Sequence, residues 1–125
     1  MKIIIVGAGD VGFHLAKLLS FESQDIYLID TDTEKLDYAS SHFDVITKKG
    51  DATSIKLLKE VNIDEADIFL AVTESQNTNF TLAVIAKKLG AKKTIARISN
   101  HEFSQNPDID FAEFGINLIS CSNSS

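Results

Sequence analysis

Three glycines near the start of the chain have the spacing of a phosphate-binding turn. Gly7, Gly9 and Gly12 lie between an apolar run and a helical pattern in the segment IIIVGAGDVGFHLAKLL, residues 3–19. Gly7 permits a tight turn, Gly9 lets a pyrophosphate approach the backbone, and Gly12 lets the helix pack closely on the strand. The helix start adds free N–H groups and partial positive charge. The motif predicts ligand contacts from Gly7, Ala8, Gly9, Asp10, Val11 and Gly12, although glycines can also serve packing alone.

A carboxylate 18 positions after Gly12 is placed to bind a ribose. Asp30 ends the second apolar run, DIYLID, residues 25–30. Its oxygens can accept hydrogen bonds from both ribose hydroxyls and would repel a 2′-phosphate, because like charges ~4 Å apart cost ~4 kcal/mol at an effective dielectric of about 20. Asp30 therefore favours NAD(H) or an adenine nucleotide over NADP(H). It could instead cap the next helix, a role for which Asp32 is better placed.

Polar residues also follow the later strands. Asp51 could accept from an adenine amino group while Ala52 offers its N–H, or Asp51 could cap a helix. Thr73 and Glu74 would lie near the middle of a bound dinucleotide or its phosphates, and a capped helix start explains them equally well. Arg97, near the end of an apolar strand, requires an anion, either Glu74 or a ligand phosphate.

Alternating strands and helices must position these residues. The patterns predict strands at 3–6, 25–30, 44–50, 67–73, 92–98 and 116–120, and helices at 10–21, 31–42, 51–62 and 75–89. Pro107 should divide residues 101–115 into two short helical turns. The alternation predicts an α/β fold, a Rossmann-like doubly wound parallel sheet of about six strands with helices on both faces. Such sheets bind ligands beyond the carboxyl ends of their strands.

Composition restricts the class of protein. A chain of 125 residues is long enough for one domain with a core. Its net charge of −6, without a basic stripe, argues against nucleic acid as a partner. The single cysteine, Cys121, allows no intrachain disulfide and suits a reducing cytosol. No run approaches the ~20 apolar residues that cross a bilayer, so direct membrane insertion is not expected.

The sequence indicates binding without catalysis. His14, His42 and His101 are scattered, and none follows a strand. No lysine or tyrosine is placed to protonate a carbonyl, and no Cys/His cluster suggests a metal. We therefore expect no catalytic residue and no metal site. The alternative is the cofactor-binding domain of an NAD-dependent oxidoreductase, against which the missing proton relay and substrate domain argue.

The chain resembles the RCK domain family (regulator of K⁺ conductance), also called KTN or TrkA-N. The resemblance lies in the segments KIIIVGAGDVGFHLAKLL, IDTDTEKL, GDAT, DIFLAVTESQNTNF and TIARI, in the order and near the spacings of the family. They cover about residues 1–98, and INLIS resembles the family's final strand. The pairing of AVTES with ARI is more specific than the glycine motif.

The resemblance implies a cytoplasmic regulatory subunit, peripheral to the inner face of the cell membrane. Such domains form homodimers or larger rings beneath an integral membrane potassium transporter or channel. NAD(H), ATP, ADP or AMP binding then changes potassium flux. The ligand contacts of the family correspond to Gly7 through Gly12, Asp30, Asp51 and Ala52, Thr73 and Glu74, and Arg97.

Two departures from the family refine these expectations. Some members have arginine where this chain has Asp10, and a carboxylate there favours NAD(H), or a nucleotide with fewer phosphates, over ATP. The chain also ends at Ser125, where family members often continue into a linking helix and a second domain, so residues 1–125 would be either a TrkA-N domain truncated before these parts or one half of a split system.

The composition of the fourth predicted helix indicates assembly with another subunit, because the helix is apolar almost all round. Its apolar residues are Phe80, Leu82, Ala83, Val84, Ile85, Ala86 and Leu89. One face should pack on the sheet, and a partner subunit should cover the rest. The alternative cover is residues 101–115 of the same chain.

Overall fold

The computed structural model describes residues 1–22, 25–99 and 116–120, which form a parallel sheet with helices on both faces. The strands are β1 (Lys2–Val6), β2 (Asp25–Asp30), β3 (Ile46–Lys49), β4 (Ile68–Ala71), β5 (Lys93–Ile98) and β6 (Ile116–Ser120). They lie in the order β3-β2-β1-β4-β5-β6, and all five neighbouring pairs are parallel. The predicted fold class is confirmed. The strand order reverses between β1 and β4, where sheets of this kind bind ligands.

Four α-helices cover the two faces of the sheet. They are α1 (Asp10–Ser20), α2 (Thr33–His42), α3 (Ile55–Glu60) and α4 (Gln76–Lys88), and a short 3₁₀ helix (Ile63–Glu65) follows α3. Ile3 and Ile5 pack with α1 and α2, whereas Ile4 packs with α3 and α4. Successive side chains of a strand point to opposite faces. This double burial explains why the segment from Ile3 to Val6 is wholly apolar.

The third helix is shorter than predicted. It begins at Ile55 rather than at residue 51, because Asp51 bonds to Thr53 in a turn and Ser54 caps the helix. Two further predicted elements, strands 44–50 and 67–73, shorten to β3 and β4. The 3₁₀ helix was not predicted from the sequence. The predicted turns at 101–115 lie outside the described residues.

Helix α4 leaves less apolar surface than its composition suggested. It buries Leu82, Ala83 and Ala86 fully, and Ile85 packs partly against the same core as Leu82. Val84 is 50% exposed and is the large hydrophobic residue of α4 that is most open to solvent. Within the described ranges, no helix is long and apolar enough to span a bilayer.

Candidate functional site

A cleft of about 960 Å³ lies at the carboxyl ends of the strands. This volume is at the upper end of those typical of small-molecule sites. The cleft is lined by residues 6–11, 13, 29–32, 34, 35, 38, 50–53, 72–75, 78, 82 and 97. These include eleven of the twelve predicted site residues: Gly7, Ala8, Gly9, Asp10, Val11, Asp30, Asp51, Ala52, Thr73, Glu74 and Arg97. Gly12 is the exception, and it is buried in α1.

The three motif glycines have different surroundings. Gly7 has a φ of +110°, and a Cβ there would lie 2.9 Å from the carbonyl oxygen of Val72. A Cβ on Gly12 would overlap the carbonyl oxygen of Gly7. A Cβ on Gly9 would meet no atom within 4 Å, and Gly9 lines the cleft. Gly7 and Gly12 therefore serve the fold, whereas Gly9 keeps part of the cleft open.

The start of α1 offers backbone donors to the cleft. Its N-cap residue is Gly9, so no side chain caps the first turn. In contrast, Asp32, Ser54 and Ser75 cap α2, α3 and α4 with their side chains. Uncapped N–H groups and the helix dipole favour an anion at the N-terminus of α1.

Asp30 joins the end of β2 to the glycine turn. Its Oδ2 accepts a hydrogen bond from the N–H of Ala8 at 2.7 Å, and its Oδ1 accepts one from the N–H of Asp32 at 2.8 Å. The Ala8 N–H therefore bonds to this carboxylate rather than to a phosphate. A carboxylate has about four lone-pair positions, so Asp30 can still accept from ribose hydroxyls. Asp32 caps α2, as expected.

Asp51 forms a turn and does not cap a helix, so that alternative is wrong. Its Oδ1 accepts from the hydroxyl of Thr53 at 2.6 Å and from the N–H of Thr53 at 2.9 Å. These bonds, led by the hydroxyl bond, lower the pKa of Asp51 below its ordinary value. Asp51 is therefore ionised at neutral pH and can accept a hydrogen bond. Ala52 lines the cleft beside it.

Asn79 organises the opposite wall of the cleft. Its Oδ1 accepts from the N–H of Thr73 at 2.9 Å and from the Thr73 hydroxyl at 2.7 Å. Its Nδ2 donates to the carbonyl oxygens of Thr73 and Arg97, at 3.1 and 2.8 Å. Asn79 was not predicted from the sequence as a site residue. The available signal was its helical spacing from Leu82, Ala83 and Ala86, which puts an amide on the buried face of α4.

Arg97 bonds to the backbone rather than to Glu74. Its Nη1 donates to the carbonyl oxygen of Thr73 at 3.3 Å. Among the described residues, the ion pairs join Lys2 to Glu65, Lys48 to Glu60 and Lys92 to Asp67, and none joins Arg97 to Glu74. Glu74 is therefore not the anion that pairs with Arg97, and pairing with a ligand phosphate stays a prediction.

The cleft carries an excess of negative charge. Six carboxylates line it: Asp10, Asp30, Asp32, Glu34, Asp51 and Glu74. The cations that line it are Lys35 and Arg97. Such a cleft penalises each additional negative charge on a ligand, so the hydrogen bonds described above must offset repulsion.

The described part of the chain offers no metal site in this region or elsewhere. It contains no group of three His, Cys, Asp or Glu residues that could hold an ion. His14 and His42 are exposed residues of α1 and α2, and neither lines the cleft, whereas His101 lies outside the described residues.

The strand order and the glycine turn after β1 define a Rossmann-like α/β fold. The sequence matches the TrkA-N domain family over residues 3–117. The chain therefore belongs to the TrkA-N domain family, as the resemblance implied.

A curated relative is the Trk system potassium uptake protein TrkA homolog of Archaeoglobus fulgidus. It is 36% identical over 121 residues, which are 97% of this chain and 27% of that protein. The chain thus spans about a quarter of the length of this relative.

Two solved structures share the fold. The TrkA-N domain of the inner membrane protein ybaL from Escherichia coli has a TM-score of 0.80 at 18% identity, over 98% of this chain and 87% of that chain. The GsuK channel bound to NAD has a TM-score of 0.76 at 13% identity, over 94% of this chain and 21% of that chain. At these identities the likeness shows the fold alone.

Proposed function

We propose that the chain is a nucleotide-binding regulatory domain of a potassium transport system, with NAD(H) as its ligand. The observation that carries this proposal is the gathering of eleven predicted ligand residues around one cleft. Family membership, the name of the relative and the NAD bound to the GsuK channel support it. ADP, ATP and AMP are alternatives, and Asp10 and the acidic lining disfavour the more highly charged ones.

The two ends of a dinucleotide would bind on opposite sides of β1. Asp30 and Asp51 follow β2 and β3, whereas Thr73 and Arg97 belong to the side of β4 and β5. The adenosine half would contact Asp30 and Asp51. The pyrophosphate would bind at the start of α1, and the second nucleoside would extend toward Thr73.

The domain would act in the cytoplasm, as part of a homodimer or a larger ring bound to an integral membrane potassium transporter subunit. Val84 on α4 marks an apolar position that a second copy would cover. Sedimentation should therefore show a concentration-dependent dimer, and Val84→Glu should shift it toward monomer. A monomer at all concentrations would contradict assembly through this chain alone.

A regulatory domain of this kind would bind its nucleotide without catalysing a reaction. An oxidoreductase would need a proton donor beside a nicotinamide, and neither His14 nor His42 lines the cleft. Lys35 and Tyr38 line it from α2, on the Asp30 side, where the adenosine half rather than the nicotinamide would bind. The full-length protein should therefore bind NADH without oxidising it in the presence of candidate carbonyl substrates. Turnover of NADH would favour the oxidoreductase alternative.

Calorimetric titration with NADH, NADPH, ATP and ADP at one salt concentration tests the ligand. We expect NADH to bind most tightly. A preference for ATP would retain regulation but contradict the argument from Asp10. No binding to any of the four would contradict the proposal for this chain.

Asp30→Ala tests the ribose position. Losing the acceptor should lower NADH affinity about tenfold or more, because a charged hydrogen bond contributes about 1.5–3 kcal/mol. The matched control is Asp37→Ala, which makes the same substitution at an exposed position of α2 outside the cleft. Unchanged affinity in Asp30→Ala would show that the ribose binds elsewhere.

A further inference from the structure

Asn79 is unusual because its polar amide side chain is almost fully buried. Only 1% of the residue is exposed, and it lies on the face of α4 that packs against the sheet. Burying an amide is unfavourable unless its polar atoms are bonded. Asn79 meets this requirement through side-chain hydrogen bonds to two residues, Thr73 and Arg97.

Both of these partners line the cleft, whereas Asn79 does not. Thr73 is held through its N–H, its hydroxyl and its carbonyl oxygen, and Arg97 through its carbonyl oxygen. The Thr73 carbonyl also accepts from the guanidinium of Arg97. One side chain of α4 therefore fixes the loop after β4, the end of β5 and, through the Thr73 carbonyl, the direction of the guanidinium.

We infer that Asn79 is a positioning residue that makes the Thr73–Arg97 side of the cleft fit the second half of a dinucleotide, without contacting the ligand. This inference rests on the proposed nucleotide-binding function. It also gives the ligand a connection to α4, because a displacement of Thr73 or Arg97 on binding must move or strain the amide of Asn79. The same amide is not connected to Asp30 or Asp51, which lie beyond β1 on the other side.

Asn79→Asp tests the inference with little change of shape. The variant replaces the donating Nδ2 with an oxygen that faces the carbonyl oxygens of Thr73 and Arg97. We expect NADH affinity to fall about tenfold or more, as for a lost buried donor, and AMP affinity to fall less than about threefold. AMP is the discriminating probe because its one phosphate ends at the glycine turn.

Two control variants separate positioning from general damage. Asn77→Asp makes the same chemical change on an exposed position of α4, and it should leave both affinities unchanged. Leu58→Ala weakens the core through α3, outside the cleft, so any effect on binding should reduce NADH and AMP affinity alike. Thermal unfolding of each variant, recorded beside the titrations, gives the folded fraction.

A measurement on the wild-type protein does not depend on how the variants fold. The side-chain amide protons of Asn79 should shift in the NMR spectrum when NADH saturates the protein, and shift less with AMP. Those of Asn77 should not shift with either ligand. An Asn79 amide that is unmoved by NADH would overturn the inference.

The outcomes distinguish this inference from the proposed function. If the wild-type protein binds none of the nucleotides, the proposed function fails. If it binds NADH but Asn79→Asp lowers NADH and AMP affinity by the same factor, the function stands and the positioning role fails. Selective loss of NADH affinity supports both.

Discussion

Asp10 places a carboxylate at the helix end that should receive the phosphates. It is the first residue of α1 and lines the cleft, next to the uncapped N–H groups. The helix end attracts an anion while the side chain repels it, and the two effects oppose each other within a few ångströms. The net preference should therefore depend on how many charges the ligand brings to this position.

Removing the Asp10 charge should change ligand choice. We expect Asp10→Asn to raise ATP affinity about fivefold, the effect of about 1 kcal/mol of relieved repulsion in a wet site, and to raise NADH affinity less. Titrations with both ligands, free of divalent cations, give the ratio. Asp25→Asn is the control, because it removes the same charge from the exposed start of β2. Equal gains for both ligands would show that Asp10 does not discriminate between them by the charge of the terminal phosphate.

Asp67 lies just before β4 and bonds to residues at the amino ends of the two neighbouring strands, β1 and β5. Its Oδ2 accepts from the N–H of Lys2 at 2.8 Å, and its Oδ1 accepts from the Nζ of Lys92 at 3.2 Å. These bonds, led by that from Lys2, lower the pKa of Asp67. Since the folded-state pKa lies below the unfolded one, the stabilisation is present at neutral pH. The stabilisation is lost as the pH falls from the ordinary pKa of an aspartate through the lower pKa that Asp67 has in the folded protein.

Asp67→Asn should therefore flatten the acid dependence of stability. We expect the difference in unfolding free energy between pH 7 and pH 3 to be smaller in this variant than in the wild-type protein. Urea unfolding at the two pH values measures it. Asp37→Asn, an exposed position on α2, should keep the wild-type difference. If both variants behave alike, the bonds to Lys2 and Lys92 do not carry the effect.

At the scale of elements, the turn from β1 to α1 separates folding from binding. Gly12 sets how closely α1 approaches β1, because a Cβ there would overlap the Gly7 carbonyl. Gly9 has a φ of −74°, which any residue can adopt, and open space at its Cβ position. The two glycines are three residues apart, yet only one is required by packing.

Gly12→Ala and Gly9→Ala should give opposite results. We expect Gly12→Ala to cost ~3 kcal/mol or more of stability, because α1 must shift away from β1. Gly9→Ala should keep stability within about 1 kcal/mol and lower NADH affinity about tenfold, because its methyl group occupies space needed by the phosphates. Thermal unfolding and titration measure the pair. A Gly9→Ala variant that binds normally would show that phosphates do not approach this residue.

The elements could be predicted from sequence because their signals are local. Apolar runs, glycines and capping residues lie within a few positions of the structure that they specify, and Asp32 capped α2 as predicted. The start of α3 was wrong because Asp51 and Ser54 are both good caps, and only the competing turn at Thr53 decides between them. Asn79 was missed because its amide joins Thr73, in the loop after β4, to Arg97 of β5, which is 18 positions away in the sequence and comes close only in the folded sheet.

At the scale of the molecule, charge opposes the proposed ligand. The chain has a net charge of −6, and six of its carboxylates line the cleft with two cations. A nucleotide must approach through this field before it reaches the donors at α1 and Arg97. Dissolved salt screens such a field over about 10 Å at 0.1 M and about 3 Å at 1 M.

NADH affinity should therefore rise with salt, which is opposite to the behaviour of most phosphate sites. Between 0.05 and 0.5 M NaCl we expect an increase of about two- to threefold for NADH, and a larger one for ATP. Titration at four salt concentrations gives the slope. A falling affinity would mean that direct pairing with Arg97 and Lys35 outweighs the acidic lining.

The open space above Gly9 has a consequence for how sequences of this fold diverge. Selection for folding alone should retain Gly12, because no side chain fits there, but it acts only weakly on Gly9, where a Cβ would meet no atom within 4 Å. A descendant that no longer needed its ligand could exchange Gly9 freely and keep the same sheet and helices. The residue at this position should then distinguish chains of this fold that bind a nucleotide from chains in which the domain serves only assembly.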